Sequence, residues 1–142
     1  MSTLLTEEEV SSLLESSIKA KQCSYSPYSK FRVGAALFTS CGKIFTGCNV
    51  ENVSYGLTIC AEVTAYVKAV SEGYTSFKAC AVSTDVKDSV HWPCGACRQF
   101  MAEFGDIEVF STFDDKTHTV RTLKTILPSH FSVEGLRNGQ SI

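Results

Sequence analysis

The chain reads as an α/β domain, a mixed five-stranded sheet with helices packed against it. Three observations predict this. Helical and strand-like patterns alternate in the order α-β-β-α-β-α-β-β-α, which builds a sheet covered by helices. Two strand–strand connections are too short for a crossover, so those pairs are antiparallel hairpins. The remaining strands are joined through helices, which implies right-handed crossovers between parallel strands.

Thr6 to Gln22 is predicted as the first helix. Thr6 and Glu9 form a capping box, and Leu5 with Val10 a hydrophobic staple. Its period runs Val10, Leu13, Leu14, Ser17, Ile18, Lys21, with a polar last position, so it is read as a packing layer. After a Ser- and Tyr-rich loop, Phe31 to Phe38 and Lys43 to Asn49 are strands around a turn at Thr39 to Gly42. Small residues run through the first of them at Gly34, Ala35 and Ala36, which marks close approach of a helix or of a ligand. A polar loop over 49–56 leads to Cys60 to Glu72, apolar nearly all round and so predicted as a buried helix ended by Gly73. Phe77 to Thr84 is a buried strand and 85–92 a loop. Cys94 to Phe104 is a helix stopped at Gly105, with Cys97, Phe100, Met101 and Phe104 on one face. Ile107 to Thr112 and Thr117 to Arg121 pair around Asp114-Asp115-Lys116, and Thr122 to Leu127 is a short helix ended by Pro128. The tail from Ser129 to Ile142 has little periodicity. With no repeat, low-complexity tract or linker, residues 1–142 are read as one domain.

Composition narrows the function classes. At 44% hydrophobic and 20% charged residues the chain is ordinary for a globular protein. A net charge of −2, with no basic run, argues against a stable nucleic-acid partner, whose binding is mainly electrostatic. No apolar stretch reaches the length of a bilayer span, and residues 1–9 lack the basic and apolar regions of a signal peptide. Seven cysteines, an odd count, favour reduced thiols in a cytoplasmic setting, with nuclear access by diffusion, over a disulfide framework.

The chemistry gathers at Pro93-Cys94-Gly95-Ala96-Cys97-Arg98 and at Cys60-Ala61-Glu62. Cys94 at a helix start and Cys97 in its first turn can share one metal. Cys60 opens the other helix in the same way. Three thiolates on zinc leave one tetrahedral position open, as catalytic zinc sites do, and a nearby carboxylate can exchange a water's proton. A lone Cys-x-x-Cys could instead be a redox pair, half of a structural zinc site, or two core thiols. The third cysteine with its Glu62, the preceding Pro93, and the lack of a second Cys-x-x-Cys favour the catalytic reading. Its negative charge needs compensation, from two helix N-termini and from Arg98 unless that side chain faces solvent. Cys23, Cys41, Cys48 and Cys80 are read as structural thiols, and His91, His118 and His130 have no ligand spacing.

At this point the sequence resembles the cytidine deaminases of the small homotetrameric type. The matching pieces run from about Lys21 to Leu136: 28–36, 47–52, Cys60-Ala61-Glu62, 93–99 and Leu127-Pro128-Ser129-His130-Phe131. The resemblance implies a three-layer α/β/α sandwich and zinc-dependent deamination of cytidine and deoxycytidine to uridine and deoxyuridine, with release of ammonia, in pyrimidine salvage. It implies one zinc per chain on Cys60, Cys94 and Cys97. Glu62 would take a proton from the zinc-activated water and pass it to the pyrimidine N3, the hydroxide would attack C4, and Glu62 would then protonate the leaving amine. Asn49 and Glu51 would grip the ribose, the Ala61 N–H the pyrimidine carbonyl, and Phe31 the ring. Tyr55 and Phe131 would reach a neighbouring subunit's site in a homotetramer, with the tail over 129–142 contributing to subunit contacts. The family commonly reads Cys-Ala-Glu-Arg, the Arg donating to the thiolates, whereas this chain has Val63. Two other readings differ in class: an editing deaminase acting on cytosine in RNA or DNA, and a non-catalytic zinc-stabilised binding module.

Overall fold

A computed structural model describes residues 4–134 and 136. The elements are α1 (Glu7–Ala20), β1 (Val33–Thr39), β2 (Ile44–Cys48), α2 (Ala61–Ser71), β3 (Phe77–Thr84), α3 (Gly95–Ala102), β4 (Glu108–Thr112), β5 (His118–Thr122) and α4 (Leu123–Ile126). The sheet order is β2-β1-β3-β4-β5, with β3–β4 parallel and the other neighbours antiparallel. Both hairpins form as the short connections require. The β2–α2–β3 connection joins strands that share a direction but are separated by β1, so only β3–α3–β4 joins neighbours.

Alternation along the strands sorts side chains into two cores. Ala36, Phe38, Ala79, Ala81 and Phe110 meet Val10, Leu13 and Leu14 of α1. Ala35, Leu37, Cys80, Val82 and Val109 meet α2, α3 and α4 on the other face. The result is a three-layer α/β/α sandwich. The Thr6–Glu9 capping box is formed, and Leu5 and Val10 are both buried in the α1 core.

Two strand glycines exist for close approach. A Cβ on Gly34 would lie 2.1 Å from Ser17 O and 2.5 Å from Lys21 N, so the small run in β1 lets the end of α1 settle onto the sheet. A Cβ on Gly47 would lie 2.4 Å from Ala61 O and 2.5 Å from Ala65 N, which brings the start of α2 against β2.

Three expectations change. The helix expected to be buried all round packs by one stripe, Ala61, Glu62, Ala65, Tyr66 and Ala69, while Val67 is 48% exposed, because nothing among the described residues covers its outer side. Phe100 is likewise partly exposed. Lys21, expected as a polar terminus, is fully buried among acceptors: its Nζ lies 2.6 Å from Asp114 Oδ1, 3.0 Å from Thr84 O and 3.4 Å from Asp85 Oδ1. In the tail, 133, 134 and 136 are helical; residues 135 and 137–142, over which the expected subunit contacts extend, lie outside the described residues. Among the described residues no helix is long and apolar enough to cross a membrane.

Candidate active site

The strand directions bring five segments to one end of the sheet. β2 and β3 leave the sheet there, β1 enters there, and α2 and α3 begin there. Sheets of this kind place their sites at such ends. A cavity of about 300 Å³ lies between them, lined by Phe31 and Val33, Asn49 and Glu51, Cys60 to Glu62, Trp92 and Cys94 among others. That volume suits a small molecule.

Cys60 and Cys94 are the N-caps of α2 and α3, and Cys97 lies one turn into α3. Extended backbone at each cap turns the sulfur back toward the helix start. The Cys97 N–H donates to Cys94 Sγ at 3.4 Å. The three sulfurs lie within 4.8 Å of one another, and Cys60 Sγ is 3.8 Å from Cys94 Sγ. Two sulfurs at about 2.3 Å from one tetrahedral zinc are about 3.8 Å apart, the spacing of the Cys60–Cys94 pair, and the third sulfur is near enough to share the ion. A hydrogen bond from Cys97 lowers the Cys60 thiol to about 7, while that same contact and burial raise Cys97.

Glu62, in the first turn of α2, is 4% exposed, and the Cys97 thiol donates to its Oε2 at 3.5 Å. Burial raises its carboxyl above the usual range, which favours a group that can hold and release a proton. Ala61 opens α2, so its N–H belongs to the unpaired first-turn donors beside the cavity.

At the other rim, Asn49 and Glu51 line the cavity while serving the chain itself. Asn49 Oδ1 accepts from Val33 N at 3.0 Å and from Ser24 Oγ, and its Nδ2 donates to Phe31 O at 2.8 Å. Glu51 accepts from the Tyr28 and Ser29 N–H groups and from Ser29 Oγ; the hydroxyl bond leads in holding its carboxyl below the usual range.

Tyr55 and Phe131 are not brought into this cavity; they are 74% and 68% exposed. Arg98 does not face solvent freely, nor does it reach the sulfurs: Nε donates to Pro93 O and Nη1 to Ile126 O, both at 2.6 Å, tying the start of α3 to α4. The described bonds to the sulfurs come from thiols and from the Cys97 N–H, so charge balance rests on the helix starts. Sequence reasoning missed His91 and Trp92 as cavity walls, with Ser29 and Thr58. The signal was adjacency: His91 and Trp92 directly precede Pro93-Cys94, and the His91 ring lies 6.2 Å from that of Phe31.

A mixed sheet with three cysteines and a buried glutamate at two helix starts defines a zinc-binding nucleobase deaminase class. The chain belongs to the cytidine and deoxycytidylate deaminase family, whose zinc-binding region model matches residues 7–112. It is 54% identical over 132 residues to a probable cytidine deaminase of Dictyostelium discoideum, covering 93% of this chain and 90% of that one. It is 48% identical to a cytidine deaminase of Sporosarcina psychrophila, covering 90% and 95%. The cytidine deaminase structure from Burkholderia pseudomallei superposes with a TM-score of 0.81 at 44% identity, covering 89% of this chain and all of that chain. The chain is an enzyme of the cytidine deaminase type.

Proposed function

We propose that the protein hydrolyses the free nucleosides cytidine and deoxycytidine to uridine and deoxyuridine, releasing ammonia, and so serves pyrimidine salvage. The observation that carries this is a buried Glu62 beside a three-cysteine cluster, in the lining of one cavity with Asn49 and Glu51. Cys60, Cys94 and Cys97 hold one zinc per chain. Zinc there supplies Lewis acidity that makes water nucleophilic near neutral pH. Glu62 would take one proton from the water and pass it to the pyrimidine N3 as oxygen adds to C4, then take the second proton from the hydroxyl now on C4 and give it to the departing amine, so that ammonia leaves as the C4 carbonyl forms. The Ala61 N–H binds the pyrimidine carbonyl and Phe31 packs on the ring. Glu51 and Asn49, each with bonding capacity left after serving the chain, take the sugar hydroxyls.

A nucleoside is favoured over a polynucleotide by the net charge of −2. Exposed Tyr55 and Phe131, with Val53, Leu57 and the open side of α2, support a homotetramer in which they complete neighbouring sites, the tail over 129–142 adding contacts. Seven unpaired thiols suit a cytoplasmic enzyme.

The test is a spectrophotometric assay on cytidine with metal analysis of the same sample. Loss of cytidine absorbance with about one zinc per chain supports the reading. Zinc without turnover of either nucleoside overturns the substrate assignment. Salt-sensitive binding of single strands would favour the editing reading.

A further inference from the structure

The wall of the cavity at 31–33 precedes or only begins β1, so the sheet ladder holds little of it. Asn49 fixes its backbone from one side. From the other, Asp85 grips Arg32 with both oxygens: Nε to Oδ2 at 2.9 Å and Nη2 to Oδ1 at 3.0 Å, with the Arg32 N–H 3.4 Å from Oδ2. Asp85 follows Thr84, the last residue of β3 and itself a cavity wall. The buried Lys21 ammonium backs the carboxylate from α1's end and binds Asp114 as well. The two cations and two carboxylates balance. In extended chain, successive side chains point to opposite sides. Anchoring Arg32 away from the cavity therefore turns Phe31 and Val33 into it, and those two line it while Arg32 does not.

We propose that Asp85 is a positioning residue for the nucleoside, holding the Phe31–Val33 wall through a bidentate grip on Arg32. The proposal rests on the nucleoside reading above. The pair touches none of Cys60, Glu62, Cys94 or Cys97, which stand on the starts of α2 and α3. Losing the grip loosens a surface that contacts ground state and transition state alike, so binding suffers more than turnover.

Two readouts separate the proposal from a merely structural role. One is steady-state deamination of cytidine. The other is equilibrium binding of uridine, which is not consumed, followed by the fluorescence of Trp92, the chain's single tryptophan and a cavity wall. Asp85→Asn and Arg32→Gln are each expected to raise KM and the uridine Kd about tenfold, with kcat within about threefold. The double variant is expected to be no worse than either single one, since both remove one interaction. Arg32 is 41% exposed, so its variant keeps the fold even if Asp85→Asn does not. Unchanged KM and Kd in folded Arg32→Gln, or additive losses in the double variant, overturn the positioning role. A wild-type protein that neither binds uridine nor turns over cytidine overturns the functional reading itself, and the role of Asp85 with it.

Discussion

Glu62 Oε2 lies 3.5 Å from Cys97 Sγ, so the buried carboxylate stands directly against the three-cysteine cluster. In the proposed reading that carboxylate carries the proton and is not a fourth ligand, because three sulfurs would leave open the position that hydrolysis needs.

Glu62→Gln keeps the shape and removes the exchangeable proton. Turnover of cytidine is expected to fall by about 10²–10⁴-fold or more, the range for lost general acid–base catalysis. Zinc content should stay at the wild-type level, since the three sulfurs are untouched. Rates and metal analysis on one preparation check this. Substantial remaining activity would end the proton-carrier assignment.

Most of the site was legible because its residues are close in sequence to helix starts. Cys60, Glu62, Cys94 and Cys97 sit where capping patterns put them, and both helices begin within one residue of the expected place. The outer wall was not legible. His91 and Trp92 come from an irregular loop with no period, and their place depends on the exits of β3 and the entry of β1. The partners of Lys21 are not legible for a related reason: Asp85 and Asp114 are far along the chain, and a helical period reports only neighbours one turn away. Adjacency in sequence leaves Arg98 open between the sulfurs and solvent, and the structure gives it to neither: two backbone carbonyls claim it.

Tyr66 is a case where removal of a group should help. Its ring is fully buried against Phe77, Phe100 and Phe104, and its hydroxyl has no hydrogen-bond partner among the described residues. Burial also pushes its ionisation well above the ordinary tyrosine value. An unsatisfied buried hydroxyl costs about 1–3 kcal/mol, part of which phenylalanine would recover. Tyr66→Phe is expected to raise the unfolding free energy by about 1 kcal/mol and Tm by a few degrees. A drop in denaturant midpoint would mean that the hydroxyl has a partner in solution.

Acid should release Asp85. The hydrogen bond from Arg32 leads in holding its carboxyl below the ordinary value of 3.8. A depressed folded pKa contributes stability that is fully present above the unfolded value and is lost as pH falls through the folded one. The window is therefore below about pH 4, not near neutrality. With both side chains about a third exposed, solvent screening keeps the effect under about 1 kcal/mol. Asp85→Asn should be less stable than wild type at pH 7 and approach it as pH falls toward 3, read from Tm against pH. A constant difference across that range would show that the lost charge is not the cause.

Gly47→Ala tests whether the position of α2 controls the chemistry. The added Cβ would meet backbone, Ala61 O at 2.4 Å and Ala65 N at 2.5 Å, and backbone cannot rotate aside. The start of α2 must move outward by about 1 Å to restore ordinary packing contact, carrying Cys60 and Glu62 with it. Overpacking of this kind costs about 1–3 kcal/mol. Gly34→Ala is the matched control for the cysteine cluster: its Cβ would meet Ser17 O at 2.1 Å and Lys21 N at 2.5 Å, on the α1 side of the sheet, which carries neither Cys60 nor Glu62, and through Lys21 it bears on KM alone. Both variants should lose stability. Only Gly47→Ala should also lose zinc affinity and kcat per folded molecule, because a misplacement of about 1 Å at reacting groups can cost 10²-fold. Equal losses per folded molecule in the two variants would show that general loosening of the sandwich, and not the seat of α2 on β2, governs the site.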